Sequence, residues 1–257
     1  MGRDAAMHFD YFWREMTKSQ GSMAHEHSLS LITGEDHPMG NFSILRESQD
    51  TQIIETAIRP IKDLAAPSAV LFVAGVSAAI EQRLVGLGYA KIDPMHAMAI
   101  DIAALAPTQR PDGCDFVRLS SAVEGTQWAE IVARGFSLPQ RLARILSPKA
   151  HPISAEPQAS IQYYGARRNG RVVATSMLYL SNGLAGLYCI ATAPEERRRG
   201  LGAYVTSETL KTAYTLGYRV GVLQSSEAGH SVYRSLGFQD VDSVPMFIRM
   251  PKRPAPI

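Results

Sequence analysis

Cysteine is nearly absent from this chain: Cys114 and Cys189 are the only two in 257 residues. Two cysteines so placed give neither a disulfide framework nor a cysteine metal cluster. Charge of one sign is missing too. Lys and Arg total 26 against 24 Asp and Glu, a net charge of +2, so no global field recruits nucleic acid. The longest apolar stretch, Ala65 to Ile80, contains Pro67 and Gly75 and is too short to span a bilayer. The opening Met1-Gly2-Arg3-Asp4 lacks the apolar core of a secretory signal, and a cytoplasmic location is the default expectation. His25-Glu26-His27 offers two histidines without a third ligand at a metal spacing, so no metal is expected. What is present is an ordinary globular composition, 46% hydrophobic and 19% charged, with ample material for a core.

The chemistry-bearing stretch is Arg197-Arg198-Arg199-Gly200-Leu201-Gly202. It follows an apolar run, Leu184 to Ala193, and Pro194, and it opens a segment that reads as helix. A glycine-rich turn between a strand and a helix exposes backbone N–H groups that have no intrahelical partner. With the positive end of the helix dipole, these donors make an anion site. Three arginines beside the turn suit phosphate oxygens.

The spacing resembles the acyl-CoA-binding signature of the GNAT superfamily of N-acyltransferases: Arg or Gln, two residues, Gly, one residue, then Gly or Ala. Arg197, Gly200 and Gly202 fill those places. Downstream, Val220 to Gln224 reads as a buried strand. Ser225 to Phe238 resembles the family's second signature, a short helix carrying a tyrosine, Tyr233, and ending in Leu236-Gly237-Phe238. The resemblance covers roughly residues 113 to 257 and implies an α/β (α+β) fold, a mixed, mostly antiparallel sheet flanked by helices.

The resemblance also implies acetyl transfer from acetyl-CoA to an amine acceptor. The pantetheine would lie along Cys189-Ile190-Ala191-Thr192, on a strand that splays from its neighbour, with the Ile190 amide polarising the thioester carbonyl. The amides of Arg199, Gly200, Leu201, Gly202 and Ala203 would hold the pyrophosphate beside Arg198, and the Arg197 side chain would add a phosphate contact. Tyr233 would be the general acid that protonates the departing thiolate. Ser226 stands where relatives have an asparagine on the pantetheine; being shorter, it leaves that contact open and could instead cap the following helix. His230 is expected to face solvent, and Cys189 to be a packed strand residue. No carboxylate lies on Leu187 to Ile190, so the general base is open, with Glu130 and Glu156 as guesses. Monomer and homodimer both fit. A non-catalytic acyl-CoA sensor, another acyl donor, or a nucleic-acid module using the arginine triplet are the competing readings; near-neutral charge and the lack of interleaved aromatics disfavour the last.

The first half echoes the second. Leu87-Gly88-Tyr89 matches Leu236-Gly237-Phe238 at an offset of 236 − 87 = 149 residues. The same offset carries Val220 to Gln224 onto Leu71 to Gly75, and the helix opened by Gly200 onto Thr51 to Leu64. The chemistry does not recur: Arg197 maps to Ser48, Gly200 to Thr51, Gly202 to Ile53 and Tyr233 to Leu84. A tandem of two units is expected, a degenerate one over residues 1–106 and a working one over 113–257, joined by the Pro- and Gly-containing stretch Ala106 to Gly113. The aromatic segment Asp10 to Trp13 is expected in the core, with lining of the acceptor pocket as the second reading.

Within the working half, a strand at Asp115 to Leu119 precedes helices at Ala122 to Gly135 and Leu138 to Leu146, the latter entered by Ser137 and Pro139. Ser147 to Pro157 reads as a loop. Three strands follow, Ile161 to Ala166, Val172 to Leu180 and Leu184 to Thr192, joined by Asn169-Gly170 and Asn182-Gly183 hairpins. Arg167 and Arg168, at a hairpin end, are expected to be solvated.

Overall fold

The computed structural model describes residues 1–46, 50–151, 154, 156 and 158–251. Ser48 and part of the 147–157 loop lie outside the described residues. The chain runs α1 (Gly2–Thr17), β1 (Met23–Ala24), β2 (Ser28–Ile32), β3 (Asn41–Leu45), α2 (Thr51–Lys62), β4 (Ser68–Phe72), α3 (Ala78–Gly86), β5 (Ala90–Asp101), β6 (Cys114–Arg118), α4 (Ala122–Gly135), α5 (Gln140–Ile145), β7 (Ile161–Arg168), β8 (Arg171–Ser181), β9 (Leu184–Thr192), α6 (Leu201–Thr215), β10 (Val220–Ser225), α7 (Glu227–Leu236) and β11 (Gln239–Arg249). No described helix is long and apolar enough to cross a membrane.

The eleven strands of the described residues form one sheet, in the order β1-β2-β3-β4-β11-β5-β10-β9-β8-β7-β6. Two pairs are parallel, β3 with β4 and β9 with β10. Each encloses one crossover helix, α2 or α6. Beyond each parallel pair the chain continues as helix and strand, α3–β5 or α7–β11. The repeat expected from the sequence is therefore present in the topology. The 149-residue offset holds for α2, α3 and β5, but β4 begins at Ser68, three residues before the offset places it.

The two repeats are not side by side: they exchange their last strands. β5, from the first half, pairs antiparallel with β10 of the second. β11, from the second half, pairs antiparallel with β4 of the first. The exchanged strands pair with each other from Gln239↔Ala99 to Ile248↔Ala90 at the sheet centre. The boundary near residues 106–113 is one in sequence, between β5 and β6, but not one in space.

Local signals account for the connections. Asn169-Gly170 and Asn182-Gly183 both have positive φ at both positions (49° and 77°, 51° and 74°), the requirement of a two-residue hairpin whose twist matches the strands. α7 and α6 stop at left-handed glycines, Gly237 and Gly217. One expectation fails: Ser137 does not cap α5. It takes a left-handed φ of 54° after α4, and Pro139 is the residue that precedes α5, without a side-chain cap.

Helices cover both faces of the sheet. On one, α1, α4 and α5 enclose the largest core, with Phe9, Phe12, Trp13, Trp128, Val132 and Tyr163 buried together. On the other, α6 and α7 pack on Leu178, Leu187 and Leu223, while α2 and α3 pack on Val70, Phe72 and Phe247. The aromatic segment of α1 is core, as its pattern suggests, and it reaches across to the other half. Phe12 stacks on Tyr188 of β9 at 3.7 Å. Fully buried Asp10 is held by Arg14 at 2.7 Å and by Arg46.

His8 is also fully buried, sharing a 2.9 Å hydrogen bond between its Nδ1 and the Tyr188 hydroxyl. Gly186 makes room for it, since a Cβ there would run into the imidazole. Burial lowers the His8 pKa to about 4, against an opposing contribution from the Leu184 main chain. The imidazole is thus neutral in the folded protein at pH 7. Its folded pKa lies below its unfolded one, so between about pH 6.5 and 4 the unfolded chain binds the extra proton. Stability must fall as pH falls through that window, by on the order of 3 kcal/mol at its acid end. Urea unfolding at pH 7 and pH 4.5 should show a smaller acid loss in His8→Gln than in the parent chain; equal losses would exclude His8 as the source.

Candidate active site

The site is built where β9 and β10 part. Their parallel pairing covers only Val220↔Leu184, Gly221↔Ala185 and Val222↔Gly186. Beyond it β9 diverges, and a bulge opens against β8 between the pairs Met177↔Tyr188 and Thr175↔Ala191. Cys189 sits in that bulge at φ 52°, so Cys189 and Ile190 have no ladder partner on either side. Bulges re-aim backbone groups in this way. The kink is fixed by Thr175 of β8, whose Oγ1 donates to the Cys189 carbonyl (2.7 Å) and accepts from the Ala191 amide (3.2 Å). Thr175 was invisible to sequence reasoning, because a strand threonine carries no spacing signal.

After β9 a 3-10 turn, Pro194–Glu196, leads into the arginine-rich bend. Arg198 and Gly200 both take left-handed φ, 64° and 74°. Left-handed backbone at a non-glycine residue costs about 1–2 kcal/mol and, where a structure tolerates it, marks a shaped loop. Gly200 is the N-cap of α6, and no side chain caps the helix. Its first-turn amides are left to an incoming acceptor.

The first half supplies an internal comparison. At the matching helix start, the Asp50 carboxylate accepts from the amides of Gln52 (2.8 Å) and Ile53 (3.3 Å). There the anion position is filled by the protein's own side chain. The matching strands β3 and β4 pair through Leu45↔Phe72, the last residue of each, without splaying. Both features of the open site are closed in the degenerate half.

A cleft of about 740 Å³ adjoins the bend, lined in part by Pro107, Gln109, Arg110, Arg168, Arg199 and Ser235. The inter-half linker thus forms one wall. Its arginines are tied back: Arg168 and Arg199 both pair with Glu196, the latter at 2.9 Å, and Arg110 pairs with Asp115. The expectation that the 167–168 arginines are solvated holds for Arg167, 40% exposed, and fails for Arg168. Arg168 is mostly buried against Glu196 (17% exposed), and Arg167 reaches Glu124 at 3.5 Å. Arg197 is exposed and touches only the Gly135 carbonyl, at 3.5 Å.

Ile190, Ala203 and Tyr233 all pack at the margin of the core beneath α6 and α7. Tyr233 is half-buried, its ring edge-on to Phe238 at 6.0 Å, and burial pushes its phenol above the usual value. Burial likewise raises the Cys189 thiol, which keeps it protonated and a poor nucleophile. Ser226 occupies the N-cap position of α7, but its side chain makes no capping bond. His230 does not simply face solvent: its Nε2 lies 2.8 Å from Asp240. Glu130 and Glu156 are exposed.

Comparison with known proteins agrees with this geometry. Residues 130–238 match the family model described as "Acetyltransferase (GNAT) family". No curated protein sequence matches the chain. Among solved structures, the GCN5-related N-acetyltransferase from Kribbella flavida superposes with a TM-score of 0.70 at 18% identity, over 95% of this chain and 95% of that one. The GCN5-related N-acetyltransferase from Sphaerobacter thermophilus gives 0.62 at 14%, covering 95% and 87%. A tandem GNAT protein from the clavulanic acid biosynthesis pathway gives 0.54 at 12%, covering 83% and 76%. Residues 130–238 thus match the GNAT acetyltransferase family model, and the whole chain has the GNAT fold in tandem form.

Thr175→Val should leave the Cys189 carbonyl and the Ala191 amide without their partner inside the sheet. A loss of about 1–3 kcal/mol in urea-unfolding free energy is expected; an unchanged midpoint would show that the bulge does not depend on this hydroxyl.

Proposed function

We propose that the second unit, residues 113–257, transfers an acetyl group from acetyl-CoA to a primary amine. The observation that carries this reading is the uncapped start of α6 beside the gap between β9 and β10, set against its plugged and closed counterpart in the first half. An N-terminal helix turn with free amides suits a pyrophosphate. The splayed strand suits the amide groups of a pantetheine chain, which would pair with Ile190, Ala191 and Thr192 as a further strand does.

In this reading the amides of Arg199 to Ala203 hold the diphosphate. Arg199 and Arg168 turn from Glu196 toward the nucleotide end in the cleft. Arg197 and Arg198 add charge at the exposed rim, and Ser226 offers its uncapped hydroxyl to the pantetheine. The Ile190 N–H, freed by the bulge, stabilises the oxyanion that forms when the amine attacks the thioester carbon. Collapse of that intermediate breaks the C–S bond, and Tyr233 gives its proton to the sulfur. The raised phenol pKa keeps that proton in place throughout the neutral range. The amine must arrive neutral or lose its proton to water, since no carboxylate lies on β9 next to Ile190.

Two substitutions test the two parts of the site. Gly200→Val places a β-branched side chain at φ 74°, where it costs about 1–2 kcal/mol; calorimetric affinity for coenzyme A should drop roughly tenfold. Tyr233→Phe should lower kcat for thiol release with an amine panel by about 10²-fold and leave coenzyme affinity nearly unchanged. Unaltered turnover would remove Tyr233 from the mechanism. Binding without turnover on any amine would make the protein a coenzyme sensor instead.

A further inference from the structure

One cluster of titratable groups has no part in the proposed acyl transfer, although its His230 shares α7 with Tyr233. It lies at the seam where the two halves exchange strands. His96 comes from β5, His230 from α7 and Asp240 from β11. Their nearest ligand atoms all lie within 4.8 Å of one another, and the two imidazoles stack with centroids 4.2 Å apart. The Nδ1 of His96 lies 3.3 Å from Asp240 Oδ1, and the Nε2 of His230 lies 2.8 Å from the same oxygen. In a tetrahedral metal site with bonds of about 2.0–2.2 Å, neighbouring ligand atoms sit roughly 3.3–3.6 Å apart. Closure to that geometry needs only side-chain adjustment.

The hydrogen-bond logic points the same way. The other ring nitrogen of His96, Nε2, lies 3.2 Å from the Glu227 carboxylate. If Nε2 donates there, a neutral His96 turns the lone pair of Nδ1 toward the Asp240 carboxylate. Two acceptors would then face each other at 3.3 Å, and a cation bound between them would satisfy both. A carboxylate receiving the remote N–H of a metal-bound histidine is the usual outer partner of such sites, where it fixes the tautomer and the ring orientation. With neutral histidines, Asp240 and Glu227 contribute two negative charges and Arg234, 3.8 Å from Asp240 Oδ2, one positive. The pocket is net negative. His96, His230 and Asp240 are between 24% and 40% exposed, which leaves an entry path and room for water as a fourth ligand.

We infer that His96, His230 and Asp240 bind one divalent transition-metal ion of the Zn²⁺ class, with Glu227 orienting His96. The ion would clamp β5 of the first half to α7 and β11 of the second. Sequence spacing could not show this, because 134 residues separate the two histidines (230 − 96) and only the strand exchange brings them together.

The test is titration of chelator-treated, untagged full-length protein with Zn²⁺ by calorimetry, and with Co²⁺ by its ligand-field absorption. One equivalent should bind, with Co²⁺ bands of tetrahedral or five-coordinate intensity. A metal excess of about a hundredfold over Kd should raise Tm by on the order of 5 °C. His96→Gln and His230→Gln should each weaken binding at least tenfold, and Glu227→Gln about tenfold. Circular dichroism of the glutamine variants verifies that they fold. The inference is overturned if no saturable one-to-one binding is seen, or if the variants bind like the parent. It also fails if His25→Gln/His27→Gln, distant in the chain, removes the binding instead.

Discussion

The pairing of β5 with β11 at the centre of the sheet is the constraint on which the rest of this molecule depends. Each half ends in a strand that completes the other's sheet, so neither parallel pair is finished by its own chain. A lone sheet edge would expose unpaired N–H and C=O groups; the exchange removes two such edges at once. It also fixes where α1 can lie. Starting in the first half, α1 packs its aromatic face over the second half's β8 and β9, and Gly186 admits His8 because a larger residue could not.

Seen from this frame, the two halves are the same device in two conditions. In one, the helix start is occupied by Asp50 and the parallel strands pair to their ends. In the other, a left-handed glycine leaves the helix start open and the parallel strands part after three pairs. The difference lies in a few residues, not in the fold. Thr51 and Ile53 stand in place of Gly200 and Gly202, so side chains occupy the first half's helix start where the second half has none. The first half retains the packing role, and its helix-start donors are taken up by Asp50.

Much of this was readable from the chain. Hairpin dipeptides placed β7, β8 and β9, the glycine punctuation ended α6 and α7, and the 149-residue echo announced the tandem. These signals are local, and local backbone preference survives tertiary packing. What stayed hidden depends on distant neighbours. Strand exchange leaves each strand's own pattern unchanged. Thr175 acquires its role only because a bulge forms opposite it. Arg168 looks like a solvated hairpin residue until Glu196, 28 residues later, folds against it. His230 looks solvent-facing until β5 arrives from the other half. Most positions expected to contact coenzyme, Ile190 to Ala203, share one stretch of sequence, which is why a motif names them.

The exchanged strands also bear on inheritance. A repeated unit that stands on its own is ordinarily free to be shed. Here shedding it would take away β5, and with it the partner that covers β10 and carries His96. The first unit is therefore tied to the second by the architecture, and mutations in the first half are felt as defects of the second.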